Sequence, residues 1–419
     1  MENKIVKIGD ICNVSSSKRI FAREYVEKGV PFWRGKEVTE HANGKNDSKG
    51  LFISVQRYNE LKQSGNIPSD DDVLITAVGT IGSIYQVKHE DLPFYFKDGN
   101  IIRLSNWNTE RVNPTYVSLF LQSRVGQQAI EEVEIGSTQK ALTIKDIAKI
   151  PISLPELKTQ NDIAGAIGFI DAKIKLDQQI NKNLLKLNDT LFERMVNDNS
   201  VTEEFTLNSL GLKTLGGEWG KSEMTDTYTE TVNIIRGADL EGLVFGDRKK
   251  MPIRFIKLSA LKKKKLIADD IVIEISGGSP TQSTGRTAYI KQNLLDFMSN
   301  PVLGTNFTRT LRMSNPDNSD VAVGYFRYLY AKGVFFNYEN GTTGIKNLDY
   351  KTVFNIRLRD VRKSYSYRTY KKLVNHNYKC IYDLGEQNRI LSQLRKLLIP
   401  KLLSGEIDLP NIEMVMKNV

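Results

Sequence analysis

The side chains best equipped for chemistry in this chain are hydrogen-bond donors set among small residues. Ser276-Gly277-Gly278-Ser279-Pro280-Thr281-Gln282-Ser283-Thr284-Gly285-Arg286 is the densest such stretch. Its small residues let a backbone come close to a ligand, and Gln282 and Arg286 have the shapes that suit adenine and guanine edges. An ordinary polar hairpin tip has the same composition, so the stretch does not decide by itself. Three other patterns imitate catalytic motifs. Gly216 to Ser222 misses a phosphate loop by one residue, because Leu215 stands where the first glycine of G-x-x-x-x-G-K-[ST] belongs. No apolar helix follows to hold phosphate at its N-terminus. Asn113-Pro114-Thr115-Tyr116 imitates the N-P-P-Y signature of amino-methyltransferases. Proline is routine at the first position of a helix, however, and no glycine-rich cofactor loop accompanies it. His41, His89 and His376 have neither ligand spacing nor a Cys or Glu cluster beside them. The expectation is therefore no catalytic residue, no metal and no cofactor.

The elements that must position such loops occur twice. Gly136-Ser137-Thr138-Gln139-Lys140-Ala141-Leu142 returns as Gly341-Thr342-Thr343-Gly344-Ile345-Lys346-Asn347-Leu348. Phe32-Trp33-Arg34-Gly35 returns as Ile234-Ile235-Arg236-Gly237, and Asp71-Asp72-Val73-Leu74-Ile75 as Asp269-Asp270-Ile271-Val272-Ile273. The order is the same, and the shift far exceeds the roughly 20–50 residues of a solenoid unit. This is a duplicated domain, with short β-like runs between turns in each copy. Residues Pro114 to Ala129 read as one helix within the first copy.

After Leu154-Pro155 the texture changes. From Thr159 to Asn197 apolar residues fall at Ile163, Ile167, Ile170, Ile174, Leu184, Leu191 and Met195, with Asp177, Asn181 and Asn188 in the remaining seam positions. That is a coiled-coil seam with polar interruptions, roughly 55 Å long at 1.5 Å per residue. Val374, Ile381, Leu384, Leu391, Leu394, Leu398 and Leu402 carry a similar stripe near the C-terminus, where Pro400 should kink or end the helix. Two such faces would bury each other. Packed antiparallel, the helices would hold the two copies at opposite ends of a rod. The second helix is entered through a basic, tyrosine-rich segment, Arg357 to Tyr370, and has His376 and Asn377 in its upper seam. Looser pairing is expected at that end.

Net charge is +10, with 59 Lys and Arg against 49 Asp and Glu in 419 residues. The excess favours a polyanionic partner, nucleic acid first. Cys12 and Cys380 are too far apart and too few for a disulfide scaffold or a zinc site. No run of 18 apolar residues occurs, which points to the cytoplasm and away from a membrane. DNA reading needs donors that reach phosphates and base edges. The candidates in the first copy are Arg19, Arg34, Lys36, Thr80, Ser83, Thr138 and Lys140. Those in the second are Arg236, Ser276, Thr281, Gln282, Ser283, Arg286, Thr343 and Lys346. Arg34 and Arg236 recur at equivalent positions, which would equally suit a shared structural salt bridge. The run Lys262 to Lys265 suits phosphate contact or, more simply, a solvated face.

The order of reader, long helix, reader, long helix, with the close Leu394-Arg395-Lys396-Leu397-Leu398-Ile399-Pro400-Lys401-Leu402-Leu403-Ser404-Gly405-Glu406-Ile407, resembles the specificity subunits of type I restriction–modification enzymes. The resemblance covers nearly the whole chain. It implies an α+β protein with target-recognition domains at 1–155 and 201–360 and spacer helices at 156–200 and 361–419, the helices packed as an antiparallel coiled coil. It also implies a non-catalytic subunit that binds an asymmetric, bipartite site in double-stranded DNA. Two methyltransferase (M) subunits and the motor/nuclease (R) subunits would be its partners. Two rivals stand beside this reading: a stand-alone DNA amino-methyltransferase using Asn113-Pro114-Thr115-Tyr116, and a coiled-coil adaptor whose basic charge is incidental.

Overall fold

Short β-branched and aromatic runs bounded by Asp, Gly and Asn form strands, and the strands of the two copies pair in the same order. The computed structural model describes residues 4–44, 50–136, 140–248, 251–279, 281–341 and 344–407. In the first copy an antiparallel sheet runs Asn13–Ser15, Ile101–Ser105, Val73–Thr76, Ile84–Gln86. In the second the order is Leu212–Gly216, Thr308–Met313, Ile271–Glu274, Thr287–Tyr289. A further sheet holds Val30–Trp33 parallel to Tyr95–Phe96, and its counterpart holds Glu230–Ile235 parallel to Val302–Gly304. An antiparallel pair closes each copy: Lys4–Lys7 with Pro151–Leu154, and Glu204–Phe205 with Leu358–Arg359. Even a strained turn recurs. Asp71 and Asp269 take φ of 65° and 67°, and the following Asp72 and Asp270 are buried against Arg103 (3.5 Å) and Arg312 (2.8 Å).

The chain divides into two compact units, Met1–Asp171 with Gln393–Val419, and Ala172–Ser392. Each contains one copy of the repeat and a stretch of both long helices, Leu157–Val196 and Tyr367–Ser404. In the first unit Ile163, Ile167 and Ile170 are buried on one helix and Leu398, Ile399 and Leu402 on the other. Arg395 pairs with Asp171 at 2.7 Å. Gln160, fully buried, stitches the helix start to the sheet copy: its Oε1 accepts from Asn113 N–H (2.9 Å), and its Nε2 donates to the carbonyls of Arg111 (3.0 Å) and Pro155 (2.9 Å). The expected single helix from Pro114 is two, Pro114–Gln122 and Arg124–Glu132. Ser123 divides them by turning extended and capping the second through Gly126 N–H.

In the second unit the helices run antiparallel. Asn181 Nδ2 donates to Ile381 O at 3.1 Å, and Asn377 Nδ2 to Asn188 Oδ1 at 2.7 Å. Asp177, Asn181 and Asn188 are buried, as seam positions should be. The looseness expected at the upper end is absent. Tyr370, Tyr378 and Tyr382 are buried there, with Tyr378 edge-on to Tyr289 at 5.2 Å. Tyrosines supply the apolar area that the aliphatic pattern lacks, and the Tyr382 hydroxyl finds Tyr289 O. The second helix also does not end at Pro400. It continues to Ser404, because Leu398, Ile399 and Leu402 anchor the last turn, and it stops at Gly405, whose φ is 73°.

Candidate nucleic-acid interface

In the first unit the candidates converge through backbone contacts at one end of the sheets. Strand Val73–Thr76 turns through Gly79 and Gly82, whose φ values of 82° and 79° favour glycine. Thr76 braces that turn: its hydroxyl donates to Thr80 O (2.5 Å) and accepts from Ser83 N–H (2.9 Å). Thr80 is left exposed at the tip. Ser83 Oγ receives the Thr39 hydroxyl at 3.0 Å, which ties the turn to helix Gly35–Ala42. Leu142 N–H donates to Ala77 O (3.0 Å), and Ala141 bridges to Val78 and Ile135. The segment carrying Lys140 therefore lies beside the turn, with Lys140 exposed and paired to Glu134 at 2.7 Å. Arg19 belongs to a segment held by Ser16 Oγ on Ile101 O (2.7 Å) and Ser17 Oγ on Phe96 O (2.6 Å). Phe96 is the pairing partner of Trp33, next to Arg34. Arg19 is 72% exposed, and its guanidinium lies over the Phe21 ring.

Arg34 and Arg236 have one geometry. Each begins a short helix, donates its backbone N–H to the carboxylate three residues on, and forks its guanidinium onto the same group. The distances are 2.8, 3.1 and 2.6 Å to Glu37, and 2.9 Å for each of the three bonds to Asp239. The shared salt bridge is therefore real and caps both helices. About two-fifths of each arginine side chain stays exposed (39% and 38%). Lys36 is more open at 64% and pairs with Glu40 at 3.6 Å.

The second unit builds the same end with different side chains. Glu274, buried at the end of its strand, takes both nitrogens of the Arg286 fork at 2.9 and 2.7 Å. Gly237 touches this pair, since a Cβ there would lie 2.5 Å from Glu274 Oε1. The Arg286–Glu274 pair thus packs against Gly237, the residue after Arg236, whose own fork is held by Asp239. Ser276 and Gly277 pair with Asn347 and Lys346, bringing the second recurring loop alongside. Glu339 is buried too and accepts from Thr284 N–H (2.5 Å), Thr284 Oγ1 (2.8 Å) and Lys346 Nζ (2.8 Å). Burial alone would raise its carboxyl, but the Lys346 and Thr284 bonds outweigh that and hold it below the usual range.

The candidates therefore divide. Thr281 and Gln282 are exposed, whereas Ser283 is buried, Arg286 is committed to Glu274, Lys346 to Glu339 and Ser276 to Asn347. Thr138 and Thr343 lie outside the described residues. Sequence reasoning missed Glu274 and Glu339, the two carboxylates that hold the loop cations. The only available signal was an acidic residue at a strand end and just before a repeated loop.

The imitators are absorbed by structure. Glu218 N–H donates to Gly304 O and Lys221 N–H to Phe255 O, both at 2.9 Å, so these amides cannot cradle phosphate. Lys264 is drawn onto Gly217 O (2.9 Å) and Glu218 (2.7 Å), while Lys262, Lys263 and Lys265 are exposed. Asn113 caps helix Pro114–Gln122 through Thr115 and Tyr116 N–H, and its amide donates to Asn161 (2.8 Å). His41 stacks on Trp33 at 4.0 Å, and burial lowers its pKa. Among the described residues, no three His, Cys, Asp or Glu side chains are grouped to hold a metal. No helix among them is long and apolar enough to cross a membrane.

Residues 1–186 match the family described as the type I restriction modification DNA specificity domain. A Haemophilus influenzae protein that carries the name of a type I restriction enzyme specificity subunit, S.HindORF215P, is 30% identical over 166 residues. That alignment spans 39% of this chain and 39% of that protein. The crystal structure of a type I restriction–modification system S subunit from M. genitalium has a similar fold. The TM-score is 0.55 at 14% identity, covering 95% of each chain.

Proposed function

We propose, from the match of residues 1–186 to the type I restriction modification DNA specificity domain, that the chain belongs to that family as a non-catalytic DNA-recognition subunit reading a bipartite target. One observation carries this reading. The same loop constellation is built twice on a duplicated topology, with different side chains at the exposed tips. Each target-recognition domain, 1–155 and 201–360, contacts one half-site in double-stranded DNA. Arg19, Lys36, Thr80 and Lys140 are the exposed donors of the first, and Thr281 and Gln282 those of the second. Arg286, Ser283, Ser276 and Lys346 shape the second loop from within. The exposed two-fifths of Arg34 and Arg236 leave them able to reach phosphate. Thr138 and Thr343, outside the described residues, remain candidates on sequence alone.

The helices at 156–200 and 361–419 set the gap and seat the partners, two M subunits, which the R subunits join. Phe169 and Leu397 (62% and 63% exposed) offer apolar surface on the helices of the first unit. Leu176, Leu187 and Ile390 (56%, 43% and 44%) do so in the second. Stand-alone methyl transfer is disfavoured by Asn113, whose side chain is spent on capping a helix.

The test is a swap of residues 201–355 for those of a relative, followed by methylome sequencing. One half of the methylated motif should change and the other stay. Change in both halves, or methylation independent of this chain, would overturn the reading.

A further inference from the structure

The turn Thr305 to Thr308 presents one side chain that the fold does not use. Phe307 is 55% exposed. Its backbone is nevertheless held at both ends. Its N–H donates to Thr305 Oγ1 at 3.2 Å, and its carbonyl accepts from the N–H groups of Ile275 (2.9 Å) and Ser276 (3.2 Å). Thr305 and Thr308 beneath it are buried, and Thr308 Oγ1 donates to Thr305 O at 3.0 Å. The chain is thus pinned while a large apolar ring stays in water, forgoing the gain that burial would bring. The residues that pin it open the loop Ser276 to Arg286, so the ring belongs to the recognition end of this unit. The corresponding turn of the first unit follows Phe96, which pairs with Trp33 as Gly304 pairs with Ile235. It reads Lys97-Asp98-Gly99-Asn100 and has no aromatic residue. The phenylalanine is therefore a feature of one reader and not of the shared framework.

We propose that Phe307 is a wedge that enters a base step in the half-site read by the second unit. The proposal rests on the DNA-recognition reading above. A rigidly mounted apolar side chain can part-insert between bases, unstack them and kink the duplex. Its preference would follow how easily a step opens, with pyrimidine–purine steps the softest. It would thereby read sequence at a position where no hydrogen bond is made.

The test uses the full chain assembled with its methyltransferase subunits, on duplexes bearing the methylome-defined motif. 2-Aminopurine is placed at one position at a time. One step in the second unit's half-site should brighten several-fold on binding. With Phe307→Ala the signal should fall to that of the free duplex, and specific affinity should drop roughly ten- to a hundredfold, the range of a lost base–aromatic contact. Phe307→Leu should retain part of both. A base flipped by the methyltransferase would brighten whether or not Phe307 is present, which separates the two signals. Specific binding by the native complex with no Phe307-dependent bright step overturns the wedge and leaves the recognition reading standing. Loss of methyltransferase assembly in Phe307→Ala, with the DNA signal intact, also overturns it. Absence of any specific binding by the native complex overturns both.

Discussion

Arg286 illustrates how a residue suited to base reading can instead hold the reader together. Its fork is committed to Glu274, and both side chains are largely out of water (18% and 3% exposed). Removing one member of a buried pair leaves the other charge uncompensated, at a cost of about 3–5 kcal/mol. Arg286→Ala should therefore lower the stability of the second unit by that order in denaturant titrations. It should also abolish recognition of one half-site, while Gln282→Ala weakens recognition with stability unchanged. A stable Arg286→Ala protein with altered base preference would return Arg286 to direct reading. Asp320 makes a second prediction at this scale. Burial at the start of helix Ser319–Ala331 raises its pKa to about 6, partly offset by Lys371. Its contribution to stability is fully present below the unfolded value of about 3.9 and is lost as pH rises through about 6. Asp320→Asn should thus be more stable than the native protein at pH 8, by at most about 3 kcal/mol at roughly 1.4 kcal/mol per pKa unit. The advantage should shrink to nothing below pH 4. An equal advantage at both pH values in thermal melts would refute the assignment.

At the scale of elements, the helix pair of the second unit is held in register by polar groups inside an apolar seam. Asn188 and Asn377 are both buried and hydrogen-bond each other at 2.7 Å. A single Asn188→Leu leaves the Asn377 amide without its partner and should cost about 1–3 kcal/mol. The double change Asn188→Leu, Asn377→Leu removes both groups and should recover most of that loss, or exceed native stability. A double-mutant cycle reads the difference as a coupling energy. Additive losses would mean that the two asparagines act independently. The same seam accounts for why polar interruptions were legible at all: Asp177, Asn181 and Asn188 occupy core-facing positions by period alone.

For the whole molecule, both long helices contribute to both units, with the divisions at Asp171/Ala172 and Ser392/Gln393. Heptad periodicity alone would put a test insertion at Lys182/Asn183 and Arg389/Ile390. The structure argues against the first of those sites, because Asn181, Leu185 and Asn188 bury into the second unit there. Seven residues inserted at each division keep the seam in register and add about 10 Å at 1.5 Å per residue. At 3.4 Å per base pair that is roughly three base pairs. In the proposed reading the half-site centres lie about 34–36 Å apart, and the unspecified gap should lengthen by those three pairs with both half-sites unchanged. Methylome sequencing of the insertion strain checks this. An unchanged gap, with DNA binding retained, would show that the helices are not the ruler.

The duplication, the two long helices and the polar seam were determined by sequence alone, because each is written in spacing along the chain. Repeats, heptads and turn glycines need no knowledge of what lies across the core. The resemblance to the specificity subunits rests on the duplicated layout and on the closing run Leu394 to Ile407. The division of labour within the recognition loops was decided only by tertiary structure. Arg286 and Gln282 look equally suited to a base edge in a linear reading, yet Glu274 claims one and leaves the other exposed. Tyrosines tighten a helix end that an aliphatic pattern reads as loose, because Tyr289 comes from a distant strand to meet Tyr378. No spacing in the sequence marks Phe307; its pinned backbone and open ring are seen together only in the fold. In each case the deciding partner is remote in sequence, and periodicity carries no information about which remote group will arrive.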